Sequence, residues 1–315
     1  SAEQSFDDDP LRMLRAARFA SQLGFDVDLE VMEAMEQMAQ RLEIVSAERI
    51  RSELERLLLS PYPRRGLELL VHTGICDIVL PEVSALQDTV DEHRRHKDVY
   101  EHTLTVLQQA MDLETGPDGA VPGPDLRLRL AALMHDIGKP ATRRFMPDGT
   151  VTFHAHDYVG ARMTAKRMRA LHFDKQTIKD VSRLVELHLR FHGYADSPWS
   201  DSAVRRYVTD AGPLLARLGC LTRADVTTGN RRKAAMLSHA YDDLERRIEA
   251  LRQQEELAAI RPELDGQEIM AELGIKPGPE VGKAYKFLLD LRMERGPIGK
   301  ELAREALHSW WATQQ

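Results

Sequence analysis

The sequence predicts an all-α protein made of a helical neck or body region, a helical central domain and a helical tail. Apolar residues recur at spacings of three and four through most of the 315 residues, as they do on the buried face of a helix. One short stretch around Val151 and Phe153 alternates like a strand hairpin. Because the chain is long for a single core, we divide it into residues 1–90, 91–230 and 231–315.

The composition excludes several classes of protein. Two cysteines rule out a disulfide framework and a thiolate metal site, and they indicate a reducing, cytoplasmic setting. No apolar run approaches ~18 residues and the first ten residues are polar and acidic, so the sequence predicts neither a membrane span nor a signal peptide. A net charge of -7 argues against broad nucleic-acid binding, but local basic clusters can still bind nucleic acid.

The first region begins with acidic residues and a proline. A predicted helix runs from Pro10 and ends at Gly24, and the acidic triplet before Pro10 is interpreted as helix capping. Asp26 and Asp28 have the spacing of a two-metal carboxylate pair. They stand at a loop and a helix start, however, so we interpret them as capping residues too.

Arginines recur every three residues on the helix after Pro10, at Arg12, Arg15 and Arg18. A solvated basic face is one interpretation of this stripe. Nucleotide recognition is the other, because Asp9 accepts hydrogen bonds and Arg12 donates them, and reading the edge of a base requires both.

The run ending in HDIGKP places His135 on the apolar face of a helix, with Asp136 beside it. Pro140 and Gly138 should end that helix, Gly138 by adopting the left-handed conformation. His135 and Asp136 then meet the half-negative end of the helix dipole, where a cation is favoured and an unpaired buried carboxylate is not. A divalent metal satisfies both requirements, and a satisfied core pair is the plain alternative.

Three further helices turn a possible metal ligand inward by the same spacing. A buried carboxylate without a partner should cost several kcal/mol, so it needs a cation, a proton or a dense set of hydrogen bonds. Inward ligands on separate helices make a metal site the favoured interpretation. The three side chains are His102, His188 and Asp225.

The other histidines divide into two kinds. His93 and His96 lie in a charged run and should be exposed. His154 and His156 stand two residues apart after the predicted hairpin, so one of them can face inward.

These residues resemble the HD phosphohydrolase superfamily, whose pattern is a His, then His-Asp, then a distant Asp. His102, His135 with Asp136, and Asp225 match that pattern over about residues 94–230. The resemblance implies a helical HD domain that binds a divalent metal.

The same resemblance implies a hydrolytic site. His156 and His188 match positions where two-metal members carry extra ligands. Asp136 and Lys139 would take catalytic roles, with Lys139 holding phosphate charge and Arg143 or Arg144 assisting. Mn, Ni, Co, Fe and Mg all stay open as the metal.

The flanking regions resemble bacterial tRNA nucleotidyltransferases of the CCA-adding type and poly(A) polymerases, most of all actinobacterial members. FDDDPLRMLRAARF is similar to a nucleotide-selecting motif of E-D-x-x-R followed by another Arg, with Asp8 in place of Glu. This implies that Asp9, Arg12 and Arg15 bind ATP or CTP in the full-length enzyme. The family's catalytic head would lie before Ser1, and both CCA addition and poly(A) addition stay open.

Three hypotheses about function follow. The first is a metal-dependent phosphoesterase acting on RNA 3' ends or nucleotides, within a tRNA nucleotidyltransferase. The second is a non-catalytic RNA-binding module with a structural HD domain, which would bind tRNA through the tail and four arginines. The third, nucleotide sensing without a metal, is disfavoured because every ligand is present. The four arginines are Arg49, Arg51, Arg64 and Arg65.

Overall fold

The computed structural model describes residues 1–89, 98–197, 199–255 and 260–314. These residues are helical apart from turns, loops and one two-stranded hairpin, which confirms the all-α prediction. His93 and His96 lie outside the described residues.

The chain divides into two compact units. The first comprises residues 1–189 and 214–234, and the second comprises residues 190–213 and 235–315. The finer division at residues 90 and 230 stays a prediction.

The first unit opens with short helices packed on a shared apolar core. In this core α2 (Leu11–Leu23) packs against α4 (Ala47–Leu58) and α5 (Pro63–His72), and α1 (Ala2–Asp8) packs against α3 (Leu29–Met38). Met13, Leu14 and Leu57 are among the side chains it buries. The bounds are α1 Ala2–Asp8, α2 Leu11–Leu23, α3 Leu29–Met38, a 3-10 segment Ala39–Ile44, α4 Ala47–Leu58, α5 Pro63–His72, α6 Cys76–Val79 and α7 Pro81–Ser84.

The ends of these helices confirm part of the capping interpretation. Gly24 adopts a φ of 68° at the end of α2, and its N–H donates to the Ala20 carbonyl. The Asp28 side chain accepts a hydrogen bond from the Glu30 N–H, so it caps α3. Asp26 is instead exposed and forms an ion pair with Arg65 at 2.7 Å.

The acidic triplet differs from its prediction. Asp7 and Asp8 lie inside α1, a helix that the sequence reading did not foresee. Asp9 alone caps α2, because its Oδ1 accepts from the Leu11 N–H at 3.2 Å.

The rest of the first unit is a second helical cluster. Helices α8 (Val99–Asp112), α9 (Leu126–Met134), α12 (Lys175–Leu187) and α15 (Leu215–Ala224) pack on one another, and α11 (His156–Ala170) packs along α12. The predicted hairpin is present: β1 and β2 are antiparallel, with Phe145 opposite Val151. The bounds are α8 Val99–Asp112, α9 Leu126–Met134, α10 Lys139–Thr142, β1 Arg144–Phe145, β2 Val151–Thr152, α11 His156–Ala170, α12 Lys175–Leu187 and α15 Leu215–Ala224.

Helix α9 is held by a buried arginine that the sequence pattern did not reveal. Arg129 is 5% exposed and binds the Glu114 carboxylate through two hydrogen bonds of 2.7 and 2.8 Å. Its Nη1 also donates to the carbonyl oxygens of Leu58 and Ser60 at the end of α4. One side chain therefore ties α9 to α4 and to the loop that follows α8.

The second unit has its own core beneath α17, α18 and α19. Leu264, Ile269, Leu288 and Leu307 are buried there. Asp265 and Glu268 form a reciprocal capping box at the start of α17. The bounds are α13 His192–Asp196, α14 Asp201–Ala211, a 3-10 segment Gly212–Leu214, α16 Arg231–Gln254, whose first turn belongs to the first unit, α17 Gly266–Leu273, α18 Pro279–Arg295 and α19 Lys300–Ala312.

Within the described ranges, no helix is both long enough and apolar enough to cross a membrane.

Candidate metal centre

Five helices of the first unit bring the predicted ligands together. His135, His188 and Asp225 are the C-cap residues of α9, α12 and α15, so three helix carboxyl ends meet at one point. His102 lies in the first turns of α8, and His156 is the first residue of α11. The predicted inward spacing of these side chains is confirmed.

Gly138 has a different role from the predicted one. Its φ is -77°, so it is not the left-handed residue that ends a helix, and that prediction is wrong. A Cβ at Gly138 would lie 2.1 Å from the His156 carbonyl oxygen and 2.7 Å from the Gly160 nitrogen. The residue is glycine because the backbone of α11 passes directly over it, and this close approach brings His156 to Asp136.

One oxygen of the Asp136 carboxylate faces two histidines, and Asp225 faces the same two. Its Oδ2 lies 3.3 Å from His135 Nε2 and 3.5 Å from His102 Nε2. The Asp225 Oδ1 lies 3.0 Å from His102 Nε2 and 3.5 Å from His135 Nε2. Two carboxylates thus contact the same two imidazoles.

The other face of Asp136 meets two more histidines. Its Oδ1 lies 3.3 Å from His156 Nε2 and 4.0 Å from His188 Nε2. The three side chains form a second group in which every ligand atom lies within 4.8 Å of the others. His156 is buried whereas His154 is exposed, so the inward member of that pair is His156. Asp136 is therefore shared by two groups of potential ligands.

Backbone carbonyls fix the tautomer of three imidazoles. Nδ1 lies 2.8 Å from the Ala132 oxygen in His135, 2.9 Å from the Phe153 oxygen in His156, and 2.6 Å from the Val185 oxygen in His188. A carbonyl can only accept a hydrogen bond, so each Nδ1 carries the proton. When a ring is neutral, its Nε2 then carries the lone pair and faces Asp136, which is the arrangement of a metal-binding histidine.

The carboxylates at the centre remain ionised despite their burial. Burial opposes the charge on Asp136, but His135 and Lys139 hold its pKa well below the usual range. Burial likewise opposes the charge on Asp225, and hydrogen bonds from His102 and His135 keep the pKa of that carboxyl well below its usual range. The centre therefore requires positive charge.

The pKa values of His135 and His188 shift in opposite directions. Burial disfavours a charged His135, but Asp136 and Asp225 raise the pKa of His135 to about 10. Burial and the neighbouring His135 lower the pKa of His188 to about 4. A cation among these groups would supply the charge that His135 otherwise supplies as a proton.

The ligand atoms fit a divalent metal. Ligands bonded at about 2.1 Å to one ion stand roughly 3.0 to 3.4 Å apart, and the Nε2 atoms of His102 and His135 lie 3.0 to 3.5 Å from the carboxylate oxygens of Asp136 and Asp225. The Nε2 of His188 is buried and has no hydrogen-bond partner among the described residues. A buried lone pair without a partner is rare in folded proteins, and an ion explains it.

Three cations were predicted to hold phosphate near this centre. Lys139 Nζ lies 2.9 Å from Asp136 Oδ2, so it neutralises the shared carboxylate. Arg143 donates to the Asp88 carbonyl at 3.1 Å. Arg144 is exposed on β1 and forms no ion pair with a described residue.

The predicted nucleotide-binding residues lie elsewhere in the first unit. Asp9 pairs with Arg49 at 3.1 Å, and Arg15 Nη1 lies 4.0 Å from the same Asp9 oxygen, Oδ2. Arg12 is exposed and donates to Ser5 rather than to Asp9. Arg18 differs from both interpretations of the stripe, because it is buried.

The buried partner of Arg18 is Glu53, which is 4% exposed. Arg15 Nε also lies 3.7 Å from the same carboxylate. The three arginines therefore do not share one surface, because a spacing of three residues winds slowly around a helix.

The four arginines predicted to hold tRNA all have intramolecular partners. Arg64 binds Glu68 and Glu101 at 2.7 and 2.6 Å. Their role in RNA binding stays a prediction. The other three pairs are Arg49 with Asp9, Arg51 with Glu55, and Arg65 with Asp26.

Two family models match parts of the chain. Residues 99–230 match the HD domain, which contains all six potential ligands and Lys139. Residues 24–86 match a model described as the probable RNA and SrmB-binding site of polymerase A. The fold and the centre thus define an HD-domain protein.

Two relatives show the family to which this HD-domain protein belongs. The chain is 35% identical over 321 residues to the A-adding tRNA nucleotidyltransferase of Deinococcus radiodurans, a match that covers 99% of the chain and 70% of the relative. It is 36% identical over 317 residues to the CC-adding tRNA nucleotidyltransferase of Thermus thermophilus, covering 98% and 68%. The chain belongs to the tRNA nucleotidyltransferase family.

Solved structures agree on the fold. A CCA-adding enzyme of Bacillus stearothermophilus in complex with CTP matches with a TM-score of 0.64 at 18% identity. The match covers 99% of this chain and 64% of that one, so the chain spans somewhat less than two thirds of the solved enzyme.

Proposed function

We propose that the HD centre of this chain holds divalent metal ions and hydrolyses phosphate esters at RNA 3' ends or in nucleotides. The observation that carries the proposal is Asp136, whose two oxygens each face a separate pair of histidine Nε2 atoms. Divalent ions supply a nucleophile at neutral pH and polarise a phosphoryl oxygen when they are bound in such a site. Mn, Ni, Co, Fe and Mg remain candidates for the metal.

The chain's own residues have distinct tasks in this proposal. His102, His135 and Asp225 with one oxygen of Asp136 form one ligand group, and His156 and His188 with the other oxygen form the second. Lys139 orients Asp136 through their ion pair, and it lies where it can also attract a phosphate.

Metal content tests the ligand assignment. His156→Ala should lose one ion per chain relative to the wild type, because the second group keeps only two ligands. His154→Ala is the matched control, since His154 is exposed and stands two residues away. Elemental analysis of the purified variants measures this. Equal metal content in wild type, His156→Ala and Asp225→Ala would contradict the assignment.

Hydrolysis of a generic phosphodiester tests the chemistry. Activity of the full chain on bis-p-nitrophenyl phosphate should require added Mn or Ni and should vanish in His135→Ala, while His154→Ala should retain it. Thermal unfolding of both variants separates a lost ligand from a lost fold. Turnover that survives in His135→Ala would show that the activity belongs to a contaminant.

We also propose that the full-length protein adds nucleotides to tRNA 3' ends, with ATP or CTP selected by Asp9, Arg12 and Arg15. The Deinococcus radiodurans and Thermus thermophilus relatives support this, since their names state A-adding and CC-adding activities.

A non-catalytic RNA-binding module with a structural HD domain is the second candidate. The match of residues 24–86 to an RNA-binding family model favours it. If the metal-loaded protein bound RNA but hydrolysed no phosphoester, the non-catalytic RNA-binding module would be favoured over the hydrolase.

A further inference from the structure

Helix α11 carries a row of exposed side chains that the proposed centre leaves without a role. Tyr158 is 55% exposed, and Arg162, Lys166 and Arg169 are also exposed. Their spacings of four, four and three residues place them on one face of the helix. We call these four residues the α11 strip.

The strip lies opposite the buried face of α11. His156, Gly160, Thr164 and Met168 form that buried face and follow one another at intervals of four residues. The strip therefore begins within one turn of the ligand His156. It extends away from the centre over roughly 16 Å, at a rise of about 1.5 Å per residue.

No acidic side chain stands among the cations of the strip. From Tyr158 to Phe173 the sequence contains no Asp or Glu, in a chain with 50 acidic residues. Within the described part of the chain, Arg162, Lys166 and Arg169 form no ion pair. Arg167 on the same helix does form one, with Glu82 at 2.8 Å.

This pattern has an intrinsic cost for the helix. Like charges four residues apart, such as Arg162 and Lys166, destabilise a helix instead of supporting it. The helix dipole favours a cation near Arg169 in the last turn, but it does not explain cations at the two earlier positions. A bound external anion would offset this repulsion.

We propose that the α11 strip binds the backbone of a single-stranded RNA and leads one end of it to the metal centre. The cations would contact successive phosphates and Tyr158 would stack on a base at the end of the strip nearer to His156, as aromatic and basic side chains do in single-strand channels. The proposal rests on the proposed function, because it makes a polynucleotide the substrate class of that centre. Residues 24–86, which match the RNA-binding model, do not include the strip.

Salt-dependent binding tests the strip. Affinity of the full chain for a labelled single-stranded oligoribonucleotide is measured by fluorescence anisotropy over a range of salt concentrations. Arg162→Gln with Lys166→Gln should weaken binding and reduce the slope of log affinity against log salt by about 1.4, at about 0.7 for each phosphate contact.

Lys175→Gln with Lys179→Gln is the matched control. These two lysines are exposed on α12 and also stand four residues apart, but Asp174 and Asp180 flank them. The control should leave the slope unchanged. An equal loss of RNA affinity in both double variants, or no loss in either, would contradict RNA binding by the α11 strip.

Tyr158→Ala distinguishes RNA from other polyanions. It should weaken binding of the oligoribonucleotide at least about fivefold, and it should not alter binding of an abasic sugar-phosphate oligomer of equal length. Equal effects on both ligands would mean that the strip attracts any polyanion, and this result would overturn the assignment to RNA. Because every readout is binding, an inactive metal centre would not be mistaken for a failure of the strip.

Discussion

The lack of a side chain at Gly138 allows α11 to approach closely enough to place His156 beside Asp136. The His156 carbonyl and the Gly160 nitrogen belong to the backbone of α11, so they cannot move aside for a Cβ. Gly138→Ala should therefore destabilise the first unit by about 1–3 kcal/mol and lower its metal content. Thermal unfolding and elemental analysis measure the two effects.

Gly116→Ala is the control for this change, because no atom lies within 4 Å of a Cβ at Gly116. It should leave both quantities near the wild-type values. A Gly138→Ala protein as stable and as metal-rich as the wild type would show that α11 does not depend on this close approach.

Residue spacing predicted the inward side chains of the candidate centre well and their surroundings less well. His102, His135, His188 and Asp225 were predicted to face inward because a helix repeats a face every three to four residues, and they do. The contact between Gly138 and α11 depends on a helix that begins eighteen residues later, so local periodicity could not reveal it.

At the scale of elements, α9 is held in place by Arg129. Arg129→Ala would leave the Glu114 carboxylate buried without its partner and would free two carbonyl groups at the end of α4. Loss of one partner of a buried ion pair typically costs about 3–5 kcal/mol, and we expect a loss of that size in the free energy of unfolding. Denaturant unfolding measures it.

Arg127→Ala is the matched control on the same helix. Arg127 is 35% exposed in its side chain and pairs with Asp180 at 3.2 Å. A partly exposed pair contributes about 1 kcal/mol or less, so the control should be nearly neutral. If Arg129→Ala lowered the free energy of unfolding by no more than Arg127→Ala does, Arg129 would contribute no more than a partly exposed ion pair.

The sequence predicted most elements and missed the ion pairs that join them. Helix ends at Gly24 and Asp28 were predicted because caps and turns have local signatures. The buried pairs of Arg129 with Glu114 and of Arg18 with Glu53 were not foreseen, because arginine looks the same in sequence on a solvated face and in a core. Only the fold decides between the two.

At the scale of the whole molecule, we expect residues 1–315 to transfer no nucleotide to tRNA. Phosphoryl transfer requires carboxylates that hold metal ions on a triphosphate. In the Asp26 and Asp28 pair, Asp28 caps α3 and Asp26 binds Arg65. Incorporation of labelled ATP or CTP measures transfer, and incorporation that Asp26→Ala abolishes would contradict this expectation.

The three helix carboxyl ends that meet at His135, His188 and Asp225 have a consequence for anion binding. Each end contributes about half a negative charge, in addition to the charges of Asp136 and Asp225. Without a metal, Lys139 and a protonated His135 balance the two carboxylate charges, but the three helix ends still contribute negative charge. We therefore expect the centre to bind an anion such as inorganic phosphate more tightly with a divalent ion present than without one.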